Sequence, residues 1–95
     1  MITQEGDRLL VEGPVTIGTV SALLAQSRAL LVPGVAVLDF QGVTEVDSAA
    51  VALALECLRE ARRREFALSL ANLPEAMQHL AQLYAVSDLL QAVPA

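Results

Sequence analysis

Much of what would commit this chain to a known chemistry is missing from it. It has one cysteine, Cys57, one histidine, His79, no tryptophan and only 3% aromatic residues. A lone cysteine forms no internal disulfide, and Cys57 lies in an apolar run, which points to a packed, reduced thiol. One Cys and one His also fall short of the roughly four ligands of a zinc site. Long apolar runs are absent: stretches such as Ala49–Leu55 are far below the ~20 residues that span a bilayer. No basic leader followed by an apolar stretch and a cleavage site opens the chain, so the expectation is an unsecreted, cytoplasmic protein. Positive charge is scarce. Six basic against eleven acidic residues leave a net charge of −5, which excludes the electrostatic footprint of a nucleic-acid or anionic-lipid binder. The Gly-rich phosphate loop, the dinucleotide fingerprint and the Gly-x-Ser-x-Gly elbow are all missing. No pair of groups is spaced for acid–base or nucleophilic work, so neither an enzyme nor a bound cofactor or metal is expected.

What is present is apolar: 55% of 95 residues are hydrophobic and 18% charged. Such a chain is too rich in apolar residues to be disordered, and its length fits one domain over residues 1–95. Turn residues fall at Gly6, Gly13-Pro14, Pro33-Gly34, Gly42, Asn72 with Pro74, and Pro94. Ile2 to Glu5 pairs as a hairpin with Leu9–Glu12 around Gly6-Asp7. Thr16 is the expected N-cap of an amphipathic helix over about 17–31, with Val15 and Val20 as its hydrophobic staple. Val35–Phe40 reads as a central strand covered on both faces, followed by a loop from Gln41 to Asp47. Ser48–Arg64 holds no Gly or Pro and ends on Arg62, Arg63 and Arg64, which suits a helix. Phe66–Ala71 reads as a strand. Pro74 opens a further helix whose apolar face is Ala76, Met77, Leu80, Leu83 and Tyr84. A last amphipathic piece spans about Ser87–Gln91. The alternation predicts a small α/β domain with a mixed four-stranded sheet and helices mainly on one face.

The helix beginning at Ser48 is the most informative segment. At ~100° per residue, Ala50, Val51, Ala54, Cys57, Leu58 and Ala61 share a core face. Ser48, Ala49, Ala52, Glu56, Arg59 and Arg63 fall opposite, flanked by Leu53 and Leu55. The first two turns thus present small, nearly uncharged residues, as a docking patch would. Two readings of Asp47-Ser48 stand side by side. Either residue can cap the helix, or Ser48 is a site where a phosphoryl group would meet the helix dipole and repel a partner. His79 reads as a solvated residue, Met77 and Tyr84 as packing, and Arg59 with Arg62–Arg64 as a solvated helix end. Asp39 ends a strand with no second acid but Asp47 near it, so no metal is assigned.

Val35–Phe40 followed by Val43-Thr-Glu-Val-Asp-Ser-Ala-Ala-Val-Ala-Leu resembles the STAS domain family, the fold of anti-sigma-factor antagonists. There, a strand leads to Asp-Ser or Asp-Thr and then an apolar helix. The hydroxyl residue is the antagonists' phosphorylation site, which the resemblance puts at Ser48. Many members carry Gly where this chain has Ala50. The Val46–Leu55 run, the absence of an appended module, and Leu80-Ala-Gln-Leu-Tyr84 with Leu89-Leu90 are most similar to the MlaB branch. That branch supplies the STAS subunit of a phospholipid ABC transporter. The resemblance implies a non-catalytic subunit that binds and regulates the transporter ATPase at the inner membrane. Its interface would be Asp47, Ser48, Ala49, Ala52, Leu53, Leu55, Glu56 and Arg59. The alternative is an antagonist whose partners are an anti-sigma factor and a serine kinase. A homodimer through the same patch is a further expectation for the isolated chain.

Overall fold

The computed structural model describes residues 1–84; the amphipathic piece expected at Ser87–Gln91 and the Leu89-Leu90 pair lie outside them. The first strand, β1 (Ile2–Glu5), turns at Gly6 and pairs antiparallel with β2 (Arg8–Val15). Gly6 sits at φ +64, the left-handed conformation that glycine takes without steric cost. Helix α1 (Val20–Leu30) leads into β3 (Val37–Val46), α2 (Ser48–Arg63) leads into β4 (Ser69–Ala71), and α3 (Glu75–Leu83) follows. The sheet order is β1-β2-β3-β4, with β2, β3 and β4 parallel. The two β–α–β crossovers step the same way across the sheet, and α1 and α2 pack against each other, as two crossovers of one hand require. The result is the small mixed α/β domain that the alternation of elements predicts.

Side-chain alternation sorts the sheet. Leu9, Val11, Leu38, Phe40 and Leu70 point to the helices and are buried in one core with Leu23, Leu53, Cys57 and Met77. The strand at 37–40 is therefore not covered by helices on both faces, as its apolar run had implied. Its outward residue Asp39 is nevertheless only 4% exposed. Asp39 accepts from Arg8 Nη1 at 2.6 Å, the Gln41 N–H at 2.9 Å and Asn72 Nδ2 at 3.0 Å. Burial alone would raise the pKa of its carboxyl. The bonds from Asn72, Gln41 and Arg8 outweigh that penalty and hold it below the ordinary value.

Several boundaries differ from the sequence expectations. The segment 41–46 is not a loop but the second half of β3, which pairs with Glu12–Val15 of β2 through two register shifts. A side chain at Gly42 would meet the Val11 carbonyl at 3.2 Å and Glu12 Cγ at 3.0 Å. The glycine that looked like a turn is thus a close backbone approach within the strand. Only Ser69–Ala71 of the 66–71 run is a strand. Pro74 is the N-cap of α3 rather than part of its first turn. Helix α1 starts three residues late: Thr16 begins a separate turn, its carbonyl accepting from Thr19 N–H and Val20 N–H, and Thr19 takes the N-cap position. On α3, Met77 is buried and Leu80 half-buried, but Ala76, Leu83 (75% exposed) and Tyr84 (53%) face outward, contrary to their expected place in its core face.

Candidate functional site

Asp47 follows β3 in an extended conformation, its N–H reaching the Val15 carbonyl at 3.4 Å. Its side chain does two jobs. Oδ1 accepts from the Ala49 N–H at 2.8 Å, capping α2. Oδ2 accepts from the Ile17 N–H at 2.9 Å, tying the β2–α1 loop to the start of α2. Asp47 is therefore the cap, and the Ser48 side chain is left exposed in the first turn.

From Ser48 an outward stripe runs along α2 through Ala52, Leu55, Glu56 and Arg59, at the 3-, 4- and 7-residue spacings of one helix face. Ser48, Ala52 and Arg59 are exposed; Leu55 and Glu56 are half-buried. Arg59 Nη1 lies 2.7 Å from Glu56 Oε2, which neutralises the far end of the stripe. Besides the capping Asp47, two of the expected interface residues are not on it. Ala49 is 7% exposed and Leu53 is fully buried. Helix α2 packs against both α1 and α3, so its buried arc is wider than one core direction would make it. Ala49 and Leu53 belong to the packing.

The stripe continues into an open groove of about 600 Å³ under the C-terminal half of α2, lined by Leu55, Leu58, Arg59, Arg62, Phe66 and Leu68. Leu58, expected in the core, is half-buried at its wall. At the other end, a recess of about 210 Å³ lies between Val43–Val46 and the start of α3 at Pro74 and Ala76. Ile17, whose N–H is bonded to Asp47 immediately before Ser48, is 80% exposed. Sequence reasoning missed Ile17 because it placed this residue inside α1. The available signal was a lone isoleucine between Thr16 and Gly18, off the spacing of Val20, Leu23 and Leu24.

The remaining candidates have ordinary surroundings. Cys57 is buried; desolvation pushes its thiol up to about 11, Glu56 and Glu60 push the same way, and hydrogen bonding with Ser27 opposes them. A thiol so protonated is a poor nucleophile and a poor ligand. His79 is exposed, with its Nε2 3.8 Å from Glu75. Arg63 and Arg64 pair with Glu60, and Arg64 also donates to the Leu31 carbonyl at 2.6 Å, bracing the end of α1. Among the described residues, no three His, Cys, Asp or Glu side chains converge as a metal site. None of the described helices is long and apolar enough to cross a membrane.

Comparison with known proteins agrees with this geometry. A family model described as "Mlab, STAS domain" matches residues 1–91. Among solved structures, the anti-sigma factor antagonist SpoIIAA in its unphosphorylated form superposes with a TM-score of 0.72 at 18% identity, covering 100% of this chain and 86% of that one. The Bacillus cell fate determinant SpoIIAA in its phosphorylated form gives 0.69 at 17% identity, covering 100% and 89%. At such identities the likeness establishes the fold. Among curated proteins, none matches the chain.

Proposed function

Because this chain belongs to the STAS domain family, in its MlaB type, we propose that it is a non-catalytic subunit of an Mla-type phospholipid ABC transporter. It binds and regulates the transporter's ATPase from the cytoplasmic side of the inner membrane, docking through the helix that begins at Ser48. The observation that carries this reading is the stripe of Ser48, Ala52 and Leu55. It carries no charge, Ser48 and Ala52 are open to solvent with Leu55 half-buried, and its helix packs against both α1 and α3. A surface of this kind fits the desolvated centre of an interface, with Glu56 and Arg59 at its rim. The test is co-purification with the ABC-transporter ATPase of the same genome. Ala52→Arg puts a long charged side chain into the middle of the stripe and is expected to abolish capture. Capture at the wild-type level would refute the docking surface.

A second reading keeps the same surface and changes the partner: an anti-sigma-factor antagonist switched by phosphorylation of Ser48. Its support is the exposed hydroxyl in the first turn of α2, where the helix dipole favours added negative charge, together with the likeness to SpoIIAA, solved in phosphorylated and unphosphorylated forms. The Asp47 carboxylate one residue away opposes a second negative group there. Intact-mass measurement of protein isolated from its own cells, with Ser48→Ala as control, separates the two. A mass gain of one phosphate that disappears in the variant favours the switch.

A further inference from the structure

Nothing in the packing of the domain requires Ile17 to face outward, yet it is the most exposed large apolar side chain among the described residues. Its loop is firmly held. Thr19 Oγ1 donates to the Pro14 carbonyl at 2.9 Å and accepts from the Thr16 N–H at 3.0 Å. Asp47 Oδ2 takes the Ile17 N–H itself. A β-branched side chain on a fixed backbone has little rotamer freedom left to lose on docking. Ile17 is thus presented rather than merely tolerated.

We propose that Asp47 is a positioning residue for partner binding, holding Ile17 at the start of α2 so that Ile17 is the apolar anchor of the docking surface. This rests on the reading of α2 as that surface and extends it onto the β2–α1 loop. The occupant is a different protein offering an uncharged, apolar pocket. No charged residue lies between Glu12 and Arg28, and the one carboxylate that touches this loop, Asp47, already accepts from the Ile17 and Ala49 N–H groups, so the neighbourhood of Ile17 offers a charged partner group little to pair with. A second copy of this chain is disfavoured by mutual repulsion, since each copy carries −5.

Asp47→Asn separates the two jobs of the carboxylate. The remaining amide oxygen can still accept from Ala49, but an NH₂ replaces the oxygen that faces Ile17, and a donor cannot accept the Ile17 N–H. In the full-length protein, hydrogen exchange at the Ile17 amide should then accelerate while the amides of α2 keep their protection. Affinity for the transporter ATPase should fall roughly tenfold in Asp47→Asn and in Ile17→Ala, as for an interface anchor. The double variant should lose little more than either single one, because each removes the same presented side chain. Ile17→Ala touches only an exposed residue and keeps the test alive if Asp47→Asn folds poorly. Full affinity in Ile17→Ala, or losses that simply add, would overturn the inference. With Ala52→Arg still abolishing capture, that outcome leaves the α2 docking surface standing. If Ala52→Arg also binds normally, the docking reading itself fails. A concentration-dependent dimer that disappears in Ile17→Ala would make a second copy the occupant and overturn the inference as well.

Discussion

Ala52 and Leu53 are neighbours in sequence and opposites in fate: Ala52 is exposed, and Leu53 is fully buried. Around α2 the buried residues Ala49, Ala50, Val51, Leu53, Ala54, Cys57 and Ala61 fill an arc of about 200° at ~100° per residue. The outward arc through Ser48, Ala52, Leu55, Glu56 and Arg59 is about half as wide. Both arcs carry alanine and leucine, so residue type alone does not tell the packed from the exposed positions. The contrast teaches that α2 is clamped on two sides, by α1 and α3, and leaves only a narrow ridge exposed. Substitutions on the two arcs should therefore separate stability from binding. The largest expected effect is Leu53→Ala. Removing a fully buried leucine from a core costs about 2–5 kcal/mol, which in a domain of this size lowers the Tm by ~10 °C or more. Thermal unfolding followed by circular dichroism checks it. A change of under 1 kcal/mol would mean that Leu53 is not the packing residue described above.

The sheet repeats the contrast between its own two faces. The inner face is apolar and insensitive to pH; the outer face holds Asp39 under Arg8 and Asn72. Because the folded Asp39 carboxyl titrates below its ordinary value, its stabilising contribution is fully present above about pH 4, near its unfolded pKa. That contribution is lost as pH falls through the lower folded value. Urea unfolding between pH 5 and pH 2 should show this loss in the wild type. Asp39→Asn should flatten that part of the profile while lowering stability at pH 7, where Arg8 loses its ion partner. An unchanged acid limb in the variant would assign the pH dependence elsewhere.

Asp47 joins the buried and exposed arcs of α2, and its removal should have an intermediate effect. Asp47→Ala leaves the Ala49 N–H uncapped and costs about 1 kcal/mol, measurable as a modest shift of the denaturant midpoint. Ser48→Ala, which removes no cap, should leave that midpoint in place.

How much of this was legible in the sequence follows from the same physics. The helix could be read from the run Ser48–Arg64, one residue longer than α2, because that run lacks Gly and Pro and ends on arginines. The parallel order of strands followed from strand–helix–strand alternation. The second half of β3 could not. Gln41, Gly42, Thr44 and Glu45 read as a polar turn because the side chains stand on a sheet edge that no helix covers, and Gly42 records a bulge rather than a reversal. Ala49 and Leu53 were misplaced because a wheel assumes one core direction, whereas α2 has packing neighbours on two sides. The Asp47–Ser48 motif was visible as a candidate site. The bond from Ile17 to Asp47 joins residues 30 apart in sequence, and no local pattern encodes it.

The expected effect of Ala52→Arg on stability is also small, and its smallness is what gives the binding experiment its meaning. An exposed helix position away from caps and ion pairs tolerates substitution within about 0.5 kcal/mol, and arginine is nearly as good a helix former as alanine. The variant should therefore unfold within a few degrees of the wild type in calorimetry. Lost capture by the ATPase would then come from the surface and not from a damaged fold. If the variant instead melts as early as Leu53→Ala, Ala52 is part of the packing, the outward arc is narrower still, and the docking ridge shrinks to Ser48 and the groove below Leu55.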